Sequence, residues 1–223
     1  QDLVAVVSVA ATAAMAIENT RLHKNMMDAY HATIATLAAT IDAKDPYTRG
    51  HSQRVMEYAL LGGKSLALPI EELETLEYAA VLHDVGKIVI DVRILNKPDI
   101  LSKSEMNIMR EHPAIGANLL KGIPFLKKAS ELVLYHHERY DGTGYPAGLK
   151  GEGIPLGARL IAVADAFDTM NTDRSYRPAS TIDYIIGELY SCSGKQFCPV
   201  AVEAFVSGFR THAKKHSLTN LAG

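Results

Sequence analysis

Cysteine is nearly absent from this chain: Cys192 and Cys198 are the only two in 223 residues, and neither lies in a Cys-x-x-Cys pair. A disulfide scaffold is excluded, and a reducing cytoplasm is the expected location. Any metal would have to be held by nitrogen and oxygen instead of thiolate. An excess of charge is missing too. The net charge of -2 and pI near 6.5 exclude the basic field that duplex nucleic acid or an anionic membrane surface selects. A bound phosphate must therefore be held locally. The most apolar stretch, Val4 to Ile17, contains Ser8 and Thr12 and falls short of the roughly 20 residues that cross a bilayer. It also lacks the basic flank of a signal peptide, so no membrane insertion is expected. Internal repeats, low-complexity tracts and convincing strand alternation are absent as well. The chain opens on Gln1 in place of Met, from which a longer parent protein is expected.

What is present is helical periodicity, with 48% hydrophobic residues to supply a core. Apolar residues recur at Leu3, Val7, Ala10, Ala14 and Ile17, then at Met27, Tyr30, Ile34, Leu37 and Ile41, in alternating steps of four and three. That is a coiled-coil seam, and the phase change between its two halves is what a stutter produces in one long helix. Pairing with a second copy is expected. The organisation predicted is a long helix over residues 1–44 and a second domain over 45–223, divided near Asp45-Pro46. In the second part Pro69 precedes a stripe of Ile70, Leu73, Leu76 and Ala80. Ser102 and Glu105 form a capping box, Phe125, Ala129, Leu132 and Val133 make another stripe, and Pro199 opens a last helix. The fold class predicted is all-α. Gly and Pro crowd the segment from Asp141 to Pro155, which is too long for a mere connector.

Against this background stands a series of imidazoles and carboxylates: His51, the pair His83 and Asp84, His112, the pair His136 and His137, and Asp165. These are the ligands a divalent first-row metal takes when thiolates are lacking, and together they can hold two ions. A lone histidine such as His112, before Pro113, is more often structural; the joint pattern reverses that reading. Asp165 follows Leu160, Ile161, Ala162, Val163 and Ala164, where burying a carboxylate is costly unless a cation compensates it. His83 and Asp84 are expected to close the helix that begins at Pro69; neighbouring helical residues point about 100° apart, so the two take different directions, and Asp84, with two oxygens, can bridge. His136 and His137 likewise face two ions, or one ion and the substrate. His23, His31, His212 and His216 have no such company and are expected to be surface or helix residues.

From about Ala38 to Phe209 the sequence resembles the HD-GYP domain, a bacterial branch of the HD phosphohydrolases. The matching segments, in family order, are AKDPYTRGHSQRV, VLHDVGKI, REHPAIG, YHHERYDGTGYP, ARLIAVADAFDTM and DRSYRP. The resemblance implies a metal-dependent phosphodiesterase that hydrolyses cyclic di-GMP to linear pGpG, and in some members on to GMP, with a hydroxide shared between two ions. It implies His51, His83, Asp84 and Asp165 around one ion and His112, His136 and His137 around or near the other, with Asp84 bridging and iron or manganese as the metal. Lys87 matches the family's phosphate-contacting lysine, which gives the catalytic roles to Asp84 and Lys87. Tyr145, Arg174 and Arg177 match positions that line the nucleotide pocket. A subset of the family has Glu where this chain has Tyr47, and uses it for a third metal, so no third ion is expected. Cys198 stands where the family often has Asp, and no chemistry attaches to it. The run AATAAMAIENTRL resembles the closing helix of a GAF sensory domain, implying an upstream ligand-sensing domain. Two alternatives come with the resemblance. One is another cyclic dinucleotide, such as cyclic GMP-AMP, as substrate. The other is a non-catalytic relay that binds cyclic di-GMP and GGDEF-type proteins; its signature would be missing ligands, and none is missing.

Overall fold

Helices make up all the regular structure among the described residues, 2–44, 50–172 and 180–219 of this computed structural model, and the all-α expectation holds. The sole strand-like feature among them is an isolated bridge between Ser193 and Phe197. By contact the chain forms two units, Gln1–Leu37 and Ala38–Gly223. Helix α1 (Asp2–Asp42) begins in the first and ends in the second.

The first unit is helix alone, and its seam residues Leu3, Val7 and Ile17 are exposed. The membrane expectation rests on the run Val4 to Ile17 alone. That run is too short to cross a bilayer by itself, but the helix continues past it, and an 18-residue stretch within Leu3–Asp42 has a mean hydropathy of 1.6. By length and composition, α1 is long and apolar enough to cross a membrane.

In the second unit, Ala38, Ile41 and Asp42 of the last turns of α1 are buried. Asp42 accepts hydrogen bonds from the Ser52 backbone N–H at 3.2 Å and the Ser52 hydroxyl at 2.7 Å. These ties place the unit boundary before the sequence break at Asp45-Pro46, which lies outside the described residues. Helix α2 (His51–Ser65) packs on α3 (Ile70–Val81), α8 (Leu156–Asn171) and α10 (Pro199–Thr219). Helix α8 is the buried spine, with Leu160, Ile161, Val163, Ala164 and Phe167 at 1% exposure or less. Phe167 meets Tyr58 edge-on at 4.8 Å and also contacts Phe205 at 4.8 Å and Phe209 at 5.0 Å. Phe167 and Phe205 are fully buried, which is worth about 1.5–3 kcal/mol for each ring, so this cluster joins α2, α8 and α10.

The remaining helices are α4 (Val92–Leu95), α5 (Lys103–Met109), α6 (His112–Lys121), α7 (Lys127–Tyr135) and α9 (Ile182–Ser191). Ser102 and Glu105 form the expected capping box of α5, and Pro199 opens α10. Phe125 lies ahead of α7, in a 3-10 turn begun by Pro124. Helix α3 stops at Val81, so His83 and Asp84 follow it in a turn that leads into the 3-10 segment Val85–Val89. Gly86 brings that segment against α6: a Cβ there would overlap the His112 carbonyl and lie 2.7 Å from the Gly116 nitrogen. Gly86→Ala is therefore expected to destabilise the protein by about 1–3 kcal/mol, as overpacking against rigid backbone does. Chemical denaturation of the purified variant beside the parent chain checks this.

Candidate metal centre

Three of the histidines hang from helix ends. The last carbonyls of an α-helix lack intrahelical partners. Three residues past Ala80, at the end of α3, His83 Nδ1 lies 2.7 Å from the Ala80 carbonyl oxygen. His112 Nδ1 meets the Met109 carbonyl of α5 at 2.7 Å, and His136 Nδ1 meets the Val133 carbonyl of α7 at 2.7 Å. A carbonyl only accepts, so each Nδ1 carries the proton and each Nε2 presents a lone pair. His51, the first residue of α2, uses a carboxylate instead. Its Nδ1 lies 2.8 Å from Asp168 Oδ2, and Arg54 Nε donates to Asp168 Oδ1 at 2.6 Å.

The Nε2 atoms converge. His112 Nε2 lies 3.5 Å from His136 Nε2 and 3.2 Å from Asp84 Oδ1. His83 Nε2 lies 3.4 Å from Asp84 Oδ2 and is buried without a hydrogen-bond partner, and His51 Nε2 lies 3.3 Å from Asp165 Oδ1. All seven predicted ligands are thus brought into two abutting groups. In one group, ligand atoms of Asp84, His112, His136 and His137 lie within 4.8 Å of one another, and in the other so do those of His51, His83 and Asp165. Asp84 falls in the first group but also reaches His83 of the second, the geometry a bridging carboxylate requires. Two imidazole lone pairs that face each other, a buried nitrogen without a partner and two carboxylates form an arrangement that a cation resolves. The donor set is that of a divalent metal site.

Charge is arranged accordingly. Burial disfavours a charged His136 and holds its pKa well below the usual range. Burial also holds His137 down, at about 4. Both are neutral and ready to donate at pH 7. Burial disfavours the Asp84 carboxylate as well, but the charge of the Lys87 ammonium beside it is the foremost of the effects that outweigh burial and keep the group ionised. At Asp165 the hydrogen bond and charge of His51 do the same. Burial likewise opposes a charged His51, yet the hydrogen bonds to Asp165 and Asp168 raise it to about 10, so a proton occupies this position when no cation does.

Around the ligands, Lys87 Nζ donates to Asp84 Oδ2 at 2.6 Å. The Tyr145 ring stacks on His137, with centroids 4.9 Å apart at 27°, and the Arg110 guanidinium sits 5.3 Å from the Tyr145 centroid. The loop is fastened beneath by buried Glu138, whose Oε1 accepts from the Ala147 and Gly148 amides at 2.7 and 3.0 Å. A cavity of about 370 Å³ is lined by His136, His137 and Asp165 together with Arg139, Thr169 and Glu188. Tyr47, Arg174 and Arg177 lie outside the described residues. The sequence reading missed Asp168 and Arg54. Helical spacing held a signal for both: Asp168 is three residues from Asp165 on α8, and Arg54 three from His51 on α2, so each shares a face with a predicted ligand.

Two outcomes follow. Asp168→Ala leaves the His51 ring without its orienting partner, and metal affinity should fall about 10–100-fold, measured by competition with a chelating dye. Because the His51 proton must leave when a cation arrives, affinity should weaken as pH falls from 8 to 6, by about tenfold per pH unit for one proton released; titrations at fixed ionic strength give that slope.

A match to the HD domain family covers residues 35–198. The chain is 44% identical over 178 residues to the cyclic di-GMP phosphodiesterase response regulator RpfG of Xanthomonas campestris, covering 79% of this chain and 47% of that protein. It is 40% identical over 162 residues to the 3'3'-cGAMP-specific phosphodiesterase 3 of Vibrio cholerae, covering 72% and 35%. The chain therefore spans half or less of the length of these curated relatives. Among solved structures, the cyclic GMP-AMP specific phosphodiesterase V-cGAP3 of V. cholerae superposes with a TM-score of 0.62 at 22% identity, over 78% of this chain and 47% of that one, a likeness of fold. With the matched segment spanning most of its length, and the histidine and aspartate series inside it, the chain belongs to the HD domain family.

Proposed function

We propose that this chain is a cyclic di-GMP phosphodiesterase of the HD-GYP branch, cutting a phosphodiester bond of the cyclic dinucleotide to give linear pGpG. The observation that carries this reading is Asp84, which offers one oxygen to each histidine group and holds the Lys87 ammonium at 2.6 Å. His51, His83 and Asp165 would hold one divalent ion, His112, His136 and His137 a second, and Asp84 both. Iron or manganese suits this nitrogen and oxygen set. Such ions, when bound, lower the pKa of water from about 15.7 towards 7 and neutralise charge on phosphoryl oxygens. The side chains do the rest. Lys87 meets the charge on a nonbridging phosphate oxygen in a site with little water, and Tyr145 offers a flat face to the nucleotide. Arg174 and Arg177 are assigned to the phosphates because a planar guanidinium can take two of their oxygens. In the parent protein we place a GAF domain upstream, pairing of two copies through α1, and GGDEF proteins as partners.

A second reading, cyclic GMP-AMP as substrate, is favoured by the 40% identity to a cGAMP-specific relative. Product analysis after anaerobic loading with iron or manganese, with cyclic di-GMP and cyclic GMP-AMP assayed side by side, decides between them; cleavage of neither overturns both.

The two catalytic assignments separate in mutants. Asp84→Ala should abolish turnover and lower metal content together. Lys87→Ala should slow turnover about 10²–10³-fold, the usual cost of one lost charge-stabilising donor, with metal content unchanged by elemental analysis.

A further inference from the structure

Lys44 follows the last turn of α1 and makes an unusual set of contacts for a lysine. Its ammonium donates to three main-chain carbonyls of one short segment, those of Lys87 at 3.2 Å, Ile88 at 2.8 Å and Ile90 at 2.6 Å. Its own carbonyl accepts from Asn96 Nδ2 at 3.3 Å, at the end of α4. An ammonium has three donors and no acceptor, and here three bonds go to carbonyls of the turn whose front end carries Asp84 and Lys87. The Lys87 carbonyl also accepts from the Ile90 N–H at 3.1 Å; the carbonyls at the end of a helical turn bear its partial negative charge, and the ammonium meets that charge. Ile88 and Val89 are 45% and 61% exposed, whereas Ile90 is buried. Without the ammonium, the carbonyls of Lys87, Ile88 and Ile90 would each lose this bond, and the segment would be held by its buried side chains Val85 and Ile90 and by Gly86 against α6.

We propose that Lys44 is a positioning residue for the hydrolysis: by gathering the carbonyls of Lys87, Ile88 and Ile90, it sets how the Lys87 side chain leaves the turn towards Asp84 and the scissile phosphate. The proposal rests on the phosphodiesterase reading. It also makes the end of α1 a direct mechanical neighbour of a catalytic side chain.

The test uses the full chain loaded with one metal and cyclic di-GMP. Lys44→Met should lower kcat about 10–100-fold, the scale of a misplaced catalytic group, with KM and metal content little changed. Lys44→Arg, which keeps a multiple donor, should recover most of the rate. In a Lys87→Ala background Lys44→Met should cost nothing further, because the two act through one group. An equal loss in both backgrounds, or loss of metal in Lys44→Met, overturns the proposal. Amide exchange of the 85–92 segment provides a readout independent of turnover: Lys44→Met should speed it, and unchanged exchange also overturns the proposal. Circular dichroism confirms folding, and Lys44→Gln carries the same tests should Lys44→Met not fold. Absence of turnover in the parent chain would sink the functional reading alone, since the exchange measurement still judges the clamp.

Discussion

The site depends on a hydrogen bond made three times, from an imidazole Nδ1–H to the carbonyl three residues earlier at a helix end. His83, His112 and His136 each close an unsatisfied carbonyl in this way at 2.7 Å. The bond serves folding and chemistry at once. It satisfies a helix terminus that would otherwise need water, and it fixes which nitrogen keeps a lone pair. Three helices that end close together can therefore point three basic nitrogens into one space without a dedicated side chain to orient each ring. His51, at the start of α2, takes its orientation from Asp168, which Arg54 holds in turn.

The rest of the second unit keeps those ends in register. The aromatic contacts of Phe167 bind α8 to α2 and α10, which sets Asp165 and Asp168 opposite His51. Gly86 allows the 3-10 segment to lie on α6, and so Asp84 meets His112. Burial alone would neutralise these carboxylates; the basic groups around them, Lys87 at Asp84 and His51 at Asp165, keep them charged. Pairing with these basic groups compensates the two carboxylates for the hydration they lose on burial.

Much of this was legible in the sequence. Apolar spacing gave the helices and the capping box of Ser102 and Glu105, and residue type gave the seven members of the histidine and aspartate groups. Local rules did less well where backbone geometry decides. His83 and Asp84 were expected on α3 and lie beyond it, because the chain must leave the helix for the His83 ring to fold back on Ala80. Phe125 was expected on α7 and lies before it, since Pro124 starts a separate turn. Asp168 and Arg54 escaped notice because their meeting joins positions 114 residues apart, and spacing within a helix names a face without naming what it faces. Lys44 stands in the segment AKDPYTRGHSQRV, but nothing there signals its contacts: its partners are main-chain carbonyls, which every residue possesses.

The stack of Tyr145 on His137 makes the loop and the imidazole one plate. Its two rings belong to neighbouring parts of a single connection, fastened below by Glu138. A guest that pressed on the phenol face would transmit that push to the imidazole through ring contact alone, with no rearrangement of helices. Recognition of a flat ligand and the aim of a basic nitrogen would then share one lever arm, and selectivity could be expressed in the speed of the reaction as well as in the grip on the ligand.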